Sequence, residues 1–78
     1  MSLLRFHWDF FGPDALRTAG HFLEHVDEFC EKESIGPKKH WIRQDAAKCT
    51  AILECDQQHL QIVRDRLRPI RGERVLDE

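Results

Sequence analysis

The chain begins with a strict alternation of apolar and polar side chains between residues 4 and 10. A period of two is typical of a half-buried strand, because successive side chains point to opposite faces. We therefore predict a first strand with two different faces. Its core face carries Leu4, Phe6, Trp8 and Phe10. Its opposite face carries Arg5, His7 and Asp9.

A helical pattern follows the break at Gly12 and Pro13. Asp14 suits a helix N-terminus through its charge and its capping oxygen, and the helix is predicted to reach about Lys32. At about 100° per residue, the apolar positions form one wide stripe. This stripe comprises Leu16, Ala19, Phe22, Leu23, Val26, Phe29 and Cys30, and it predicts a helix packed on a sheet.

Two further strands are predicted at residues 40–44 and 49–55, after the Gly36-Pro37 loop. Alternation in the second of them separates a core face from an opposite face. The core face carries Cys49, Ala51, Leu53 and Cys55. The opposite face carries Thr50, Ile52 and Glu54.

Asp56 can cap a second helix that ends before Pro69 and carries Leu60, Val63 and Leu67 as its apolar positions. Ile62 lies off this stripe. A short last strand is predicted at residues 73–76. The order β-α-β-β-α-(β) therefore predicts one α+β domain, residues 1–78.

The predicted architecture is a two-layer sandwich of the ferredoxin-like type, in which two helices cover one face of an antiparallel sheet. The first and third strands are central in that arrangement, and the other face of the sheet is open. The architecture hosts many unrelated functions, so it does not by itself identify an activity.

Composition and charge disfavour several classes of partner. The net charge is −2 and no apolar run approaches the roughly 20 residues of a membrane helix. Arg5 and Asp9 interrupt the first apolar run, so we expect no secretory signal and no membrane partner. The predicted open face lacks aromatic residues on both central strands, which makes nucleic acid an unlikely partner.

The three cysteines indicate reduced thiols. They include no Cys-x-x-Cys pair, and Cys49 and Cys55 are six residues apart on one strand. That spacing is about 20 Å in an extended chain, which is beyond the reach of a disulfide. We therefore predict a cytoplasmic protein.

His21 and His25 form the first candidate site, because i, i+4 spacing on a helix is one way to hold Zn²⁺. The residue after His21 is Phe22, however, where a metalloprotease signature has glutamate. A third ligand would have to come from elsewhere, for example Glu28. Surface histidines explain the pair better, so we expect no metal or cofactor and keep His21 and His25 as an alternative.

Arg5, His7 and Asp9 form the second candidate, with Glu54 expected beside them on the neighbouring strand. A histidine between carboxylates can act as an acid–base group, but the set contains no nucleophile. Cross-strand ion pairing explains the same residues. Three interpretations stay open, in the order structural pairing, dimer contact and catalysis.

The position of Trp41 depends on the register of the hairpin between the second and third strands. A loop of two or four residues pairs Gln44 with Cys49 and puts Trp41 beside Ile52 on the open face, whereas three residues would turn Trp41 inward. Residues 45–48 make an acceptable four-residue loop. The first register exposes a Trp41–Ile52 patch that a monomer should not leave uncovered.

We therefore predict a small binding or assembly domain that acts as a homodimer, through the open face or through the edge strand at residues 40–44. The predicted contact residues are Arg5, His7, Asp9, Trp41 and Ile52. The alternative is a small enzyme or a metal-binding protein. It would use His7, Asp9, His21 and His25, which lie on different surfaces and could meet only at a sheet edge or across two subunits.

Overall fold

The computed structural model describes residues 2–75. Its elements in chain order are β1 (Leu3–Phe11), α1 (Ala15–Lys32), β2 (Lys38–Gln44), β3 (Lys48–Asp56), α2 (Leu60–Leu67) and β4 (Arg71–Arg74), and a 3₁₀ turn at Gln57–His59 leads into α2. The described chain is a small α+β domain with a four-stranded antiparallel sheet and two helices, which confirms the predicted class.

The strands lie in the order β2-β3-β1-β4, and all neighbours are antiparallel. β1 and β3 form the centre and pair along their whole length, from Leu3 opposite Asp56 to Phe11 opposite Lys48. In the hairpin, Gln44 lies opposite Cys49, so the predicted register is confirmed. This pairing determines the face of the sheet on which each side chain lies.

The hydrophobic core lies between the two helices and one face of the sheet. Alternate residues of β1 and β3 enter it, as the alternation predicts, together with residues of both helices. The central members are Leu4, Phe6, Trp8, Ala19, Leu23, Val26, Cys30, Cys49, Ala51, Leu53, Cys55 and Val63. Trp8 Nε1 also donates a hydrogen bond to the Leu67 carbonyl at 2.9 Å, which ties α2 to β1.

Two predicted apolar stripes are partly wrong. Leu16 is 49% exposed and Ala15 is buried in its place. These neighbours lie equally far, about 50°, from the centre of the buried stripe, so periodicity cannot choose between them. In α2, Leu60 is exposed and Ile62 packs against the core. At about 100° per residue, Ile62, Val63 and Leu67 also fall within one arc of about 140°, so periodicity allows this face as well as the predicted one.

Asp14 precedes α1 as predicted, but its side chain makes no capping hydrogen bond. Asp56 does cap the second helical segment, because its carboxylate accepts a hydrogen bond from the Gln58 amide at 2.9 Å. The Asp56 prediction is therefore confirmed, whereas Asp14 contributes its charge alone.

β4 begins two residues earlier than predicted, and Leu76 lies outside the described residues. Its position follows from pairing with β1, where Gly72 lies opposite Phe6. A Cβ at Gly72 would meet the Phe6 ring at 3.5 Å, an ordinary van der Waals distance, so this position packs against Phe6 without requiring a glycine. No apolar alternation marks β4, which explains why the pattern misplaced it.

The core assignment predicts unequal effects for one substitution at two sites of α1. Leu23→Ala removes a side chain that is 5% exposed and should lower the free energy of unfolding by about 2–5 kcal/mol. Leu16→Ala is the matched control and should change it by about 0.5 kcal/mol or less. Urea denaturation followed by circular dichroism measures both. Equal losses would contradict the assignment of Leu16 to the surface.

Candidate binding surface

The open face is the side of the sheet that points away from the helices. Residues directly opposite each other in an antiparallel sheet lie on the same face, so the register arranges this surface in rows across β2, β3, β1 and β4. We call them the upper, middle and lower rows. The upper row is Lys39-Glu54-Arg5-Glu73 and the middle row is Trp41-Ile52-His7-Arg71. The lower row is Arg43-Thr50-Asp9.

The centre of the open face is buried although no helix covers it. His7, Thr50 and Ile52 are each only 2% exposed. The prediction of an exposed Trp41–Ile52 patch is therefore wrong for Ile52, and Trp41 itself is half-buried. Ile52 pairs with Trp41 on one side and with His7 on the other in the middle row, so these two residues flank it.

Arg5 spans the face from β1 to β2. Its Nε donates a hydrogen bond to Glu54 Oε1 at 2.9 Å, and its guanidinium carbon lies 5.3 Å from the centroid of the Trp41 ring. This distance is within the range of a cation–π contact. Arg5 thus crosses β3, the strand that carries Ile52, and links three strands through side chains.

Asp9 is held by several partners in the lower row. It accepts hydrogen bonds from Thr50 Oγ1 at 2.8 Å and from Lys48 Nζ at 3.3 Å, and the Arg71 guanidinium lies at 3.9 Å. Burial raises the pKa of Asp9, but the hydrogen bonds and the two positive charges outweigh it, so the pKa lies below its ordinary value. Asp9 is therefore a stable anion and a poor proton donor.

His7 has one satisfied and one unsatisfied nitrogen. The Glu73 carboxylate accepts a hydrogen bond from Nε2 at 2.8 Å, whereas Nδ1 is buried without a partner among residues 2–75. Leaving a buried polar atom unpaired costs about 1–3 kcal/mol. The buried ring at the centre of the face is thus the point where this surface is least satisfied.

Sequence reasoning missed several residues of the open face, among them Lys39, which lies one residue before the predicted strand at residues 40–44. Arg71 and Glu73 lie on β4, whose position the apolar pattern did not reveal. Phe11 lies one residue beyond the predicted strand, but β1 includes it and it continues the alternation of His7 and Asp9. That alternation was the signal that could have placed Phe11 on this face.

His21 and His25 lie on α1, where both are exposed, and the sheet separates them from His7 and Asp9. His25 Nδ1 is 3.6 Å from Glu28 Oε1, and no cluster of three potential metal ligands occurs within residues 2–75. The structure therefore does not bring together the four residues of the predicted enzyme or metal site.

Polar contacts on the other side of β2 hold that edge strand to α1. Asp27 accepts hydrogen bonds from Lys38 Nζ and from His40 Nε2, both at 2.8 Å. The hydrogen bond from Lys38, with a smaller contribution from His40, lowers the pKa of Asp27 against the opposing effect of burial. Lys38 and His40 are thus engaged within the chain, whereas Lys39 points to the open face.

The cysteines are free and buried. Burial raises the pKa of Cys55 to about 11 and also raises the pKa of Cys30. Both thiols therefore stay protonated near neutral pH, and a thiol is a much weaker nucleophile than a thiolate. Cys30 and Cys55 act as core side chains.

Comparison of the chain with protein-family models, curated proteins and solved structures found no significant match. Within residues 2–75, no helix combines the length and apolar character needed to cross a membrane. The functional assignment consequently rests on the geometry of the open face.

The lowered pKa of Asp9 predicts a pH-dependent contribution to stability. This contribution is complete above the ordinary aspartate pKa of 3.8 and is lost as the pH falls through the lower pKa of the folded state. Asp9→Asn should therefore reduce the free energy of unfolding by about 1–3 kcal/mol at pH 7, and by progressively less below pH ~4.

Urea denaturation between pH 2.5 and 7 measures this difference. Asp65→Asn is the control, because Asp65 is exposed and contacts only its neighbour Arg64, at 3.4 Å, among the described ion pairs. A loss in Asp9→Asn that is the same at all pH values would contradict the assigned ionisation of Asp9.

Proposed function

We propose that the chain is a binding and assembly domain that forms a homodimer through the open face of its sheet. One observation carries the proposal: exposed apolar side chains and a row of alternating charges occur together on this face. Phe11 is 68% exposed, more than any other large hydrophobic residue in the described part of the chain. Leu3 is exposed at the opposite end, and Trp41 is half-buried between them.

The area of the face supports a weak dimer. The central strands have nine residues each, β2 has seven and β4 has four, which at about 3.3 Å per residue and about 4.8 Å between strands gives a face of about 460 Å². Two such faces would bury about 900 Å², which is below the range of stable complexes and typical of a weak association. We therefore expect a dissociation constant in the micromolar range.

The polar network of the face favours assembly over catalysis. Asp9 is an anion fixed by Thr50 and Lys48, and Arg5 is engaged by Glu54. Groups held in this way can contribute to a preorganised interface, because little side-chain freedom remains to be lost on association. An enzyme would need a proton donor or a nucleophile here, and the contacts of Asp9 oppose the first role.

We also propose that the domain is of the ferredoxin-like type and lies in the cytoplasm. The β-α-β-β-α-β order of elements supports the fold assignment, as does a core that both helices share with one face of the sheet. The cytoplasmic location is supported by three free, buried cysteines.

Sedimentation equilibrium from 1 to 200 µM tests the proposal. The wild-type chain should form a dimer, and Phe11→Ser should raise the dissociation constant about tenfold or more, because it removes apolar contact area from both copies. Leu16→Ser is the matched control: it removes an exposed apolar side chain from α1 and should leave association unchanged. A wild-type chain that stays monomeric at 200 µM would overturn the proposal.

A further inference from the structure

We infer that the second copy docks with its strands parallel to those of the first, related by a twofold axis that runs along the strand direction. This arrangement sets Lys39 against the partner's Glu73 and Arg5 against the partner's Glu54. The inference rests on the proposed dimer and adds its symmetry, which decides which residues of the two open faces meet.

The upper row supplies the main argument. Across the sheet its charges read positive, negative, positive, negative, at Lys39, Glu54, Arg5 and Glu73. An axis parallel to the strands reverses the order of the strands and keeps each row level. Reversal turns this series into its opposite, so all four positions face an unlike charge. An isologous interface requires this kind of self-complementary surface.

The middle row and the Phe11 end of the face are compatible with the same axis. Trp41 would face the partner's Arg71, the combination that forms cation–π contacts. Arg71 can reach the partner's Trp41 because its side chain is 46% exposed, although its guanidinium also lies 3.9 Å from Asp9. At the end of the face, Phe11 would lie against the aliphatic part of the partner's Lys48.

An axis in the sheet plane but perpendicular to the strands fits less well. It would keep the strand order and exchange the upper row with the lower row. Lys39 would then face the partner's Arg43 and Arg71 the partner's Arg71, whereas Arg5 would face the partner's Asp9. Only the last contact joins unlike charges, and the like charges of the others disfavour association.

Sheet packing is consistent with the parallel axis. Two sheets that pack face to face keep their strands within about 30° of each other, as this axis requires. A rotation of one sheet against the other within this 30° range displaces the rows most at the outer strands. Lys39 and Glu73 lie there, and their long side chains can absorb the displacement.

Reversing one charge at a time tests the arrangement. Lys39→Glu and Glu73→Lys each place like charges at both symmetric contacts, so each variant alone should dimerise about tenfold more weakly than the wild type. In an equimolar mixture, a heterodimer has unlike charges at both contacts. The mixture should therefore recover an affinity within about threefold of wild type.

Sedimentation velocity with a fluorophore on one variant distinguishes heterodimers from homodimers, and thermal melting confirms that each variant is folded. Glu73→Lys also removes the hydrogen bond to His7, but a damaged fold would not be repaired by mixing. Lys32→Glu and Glu24→Lys on the exposed side of α1 are the matched controls, and neither they nor their mixture should change association.

The outcomes separate this inference from the proposed function. A wild-type dimer whose two variants gain nothing on mixing would reject the parallel axis and leave the dimer standing. Stronger self-association of Lys39→Glu would also reject it, in favour of the perpendicular axis. A wild-type chain that is monomeric throughout would reject the dimer itself.

Discussion

The pairing of β1 with β3 is the constraint on which the rest of this structure depends. The two strands match residue for residue over nine positions, and so each side chain of the sheet centre is assigned to one of two faces. A slip of one residue in either strand would move every side chain of that strand to the other face. A slip of β1 would replace Phe6 by His7 in the core, and a slip of β3 would replace Leu53 by Ile52.

Much of this organisation is readable from the sequence, because strict alternation over residues 4–10 and 49–55 reports the face of each side chain directly. The degree of burial of a side chain is harder to predict from the sequence. Periodicity gives the side on which His7 and Ile52 lie, but not that each is only 2% exposed there, because burial depends on side chains of neighbouring strands such as Trp41. β4 carries no apolar pattern, so its position follows only from its backbone pairing with β1.

The candidate site was predictable to the same extent. Arg5, His7, Asp9 and Trp41 share the open face, as the alternation and the hairpin register predict. The position of β4 does not follow from periodicity. Glu73 on this strand forms the hydrogen bond to His7 and is the last member of the upper row. The face therefore shows its self-complementarity only once all four strands are in order.

We propose that the open faces of two copies meet, and small-angle X-ray scattering at concentrations where the chain self-associates tests this most directly. The described chain has a radius of gyration of 12.3 Å and a smallest extent of 19 Å. Two copies stacked along that short direction should give a radius of gyration of about 16 Å. A value of about 19 Å or more would indicate side-by-side association through an edge such as β2 and would contradict the account.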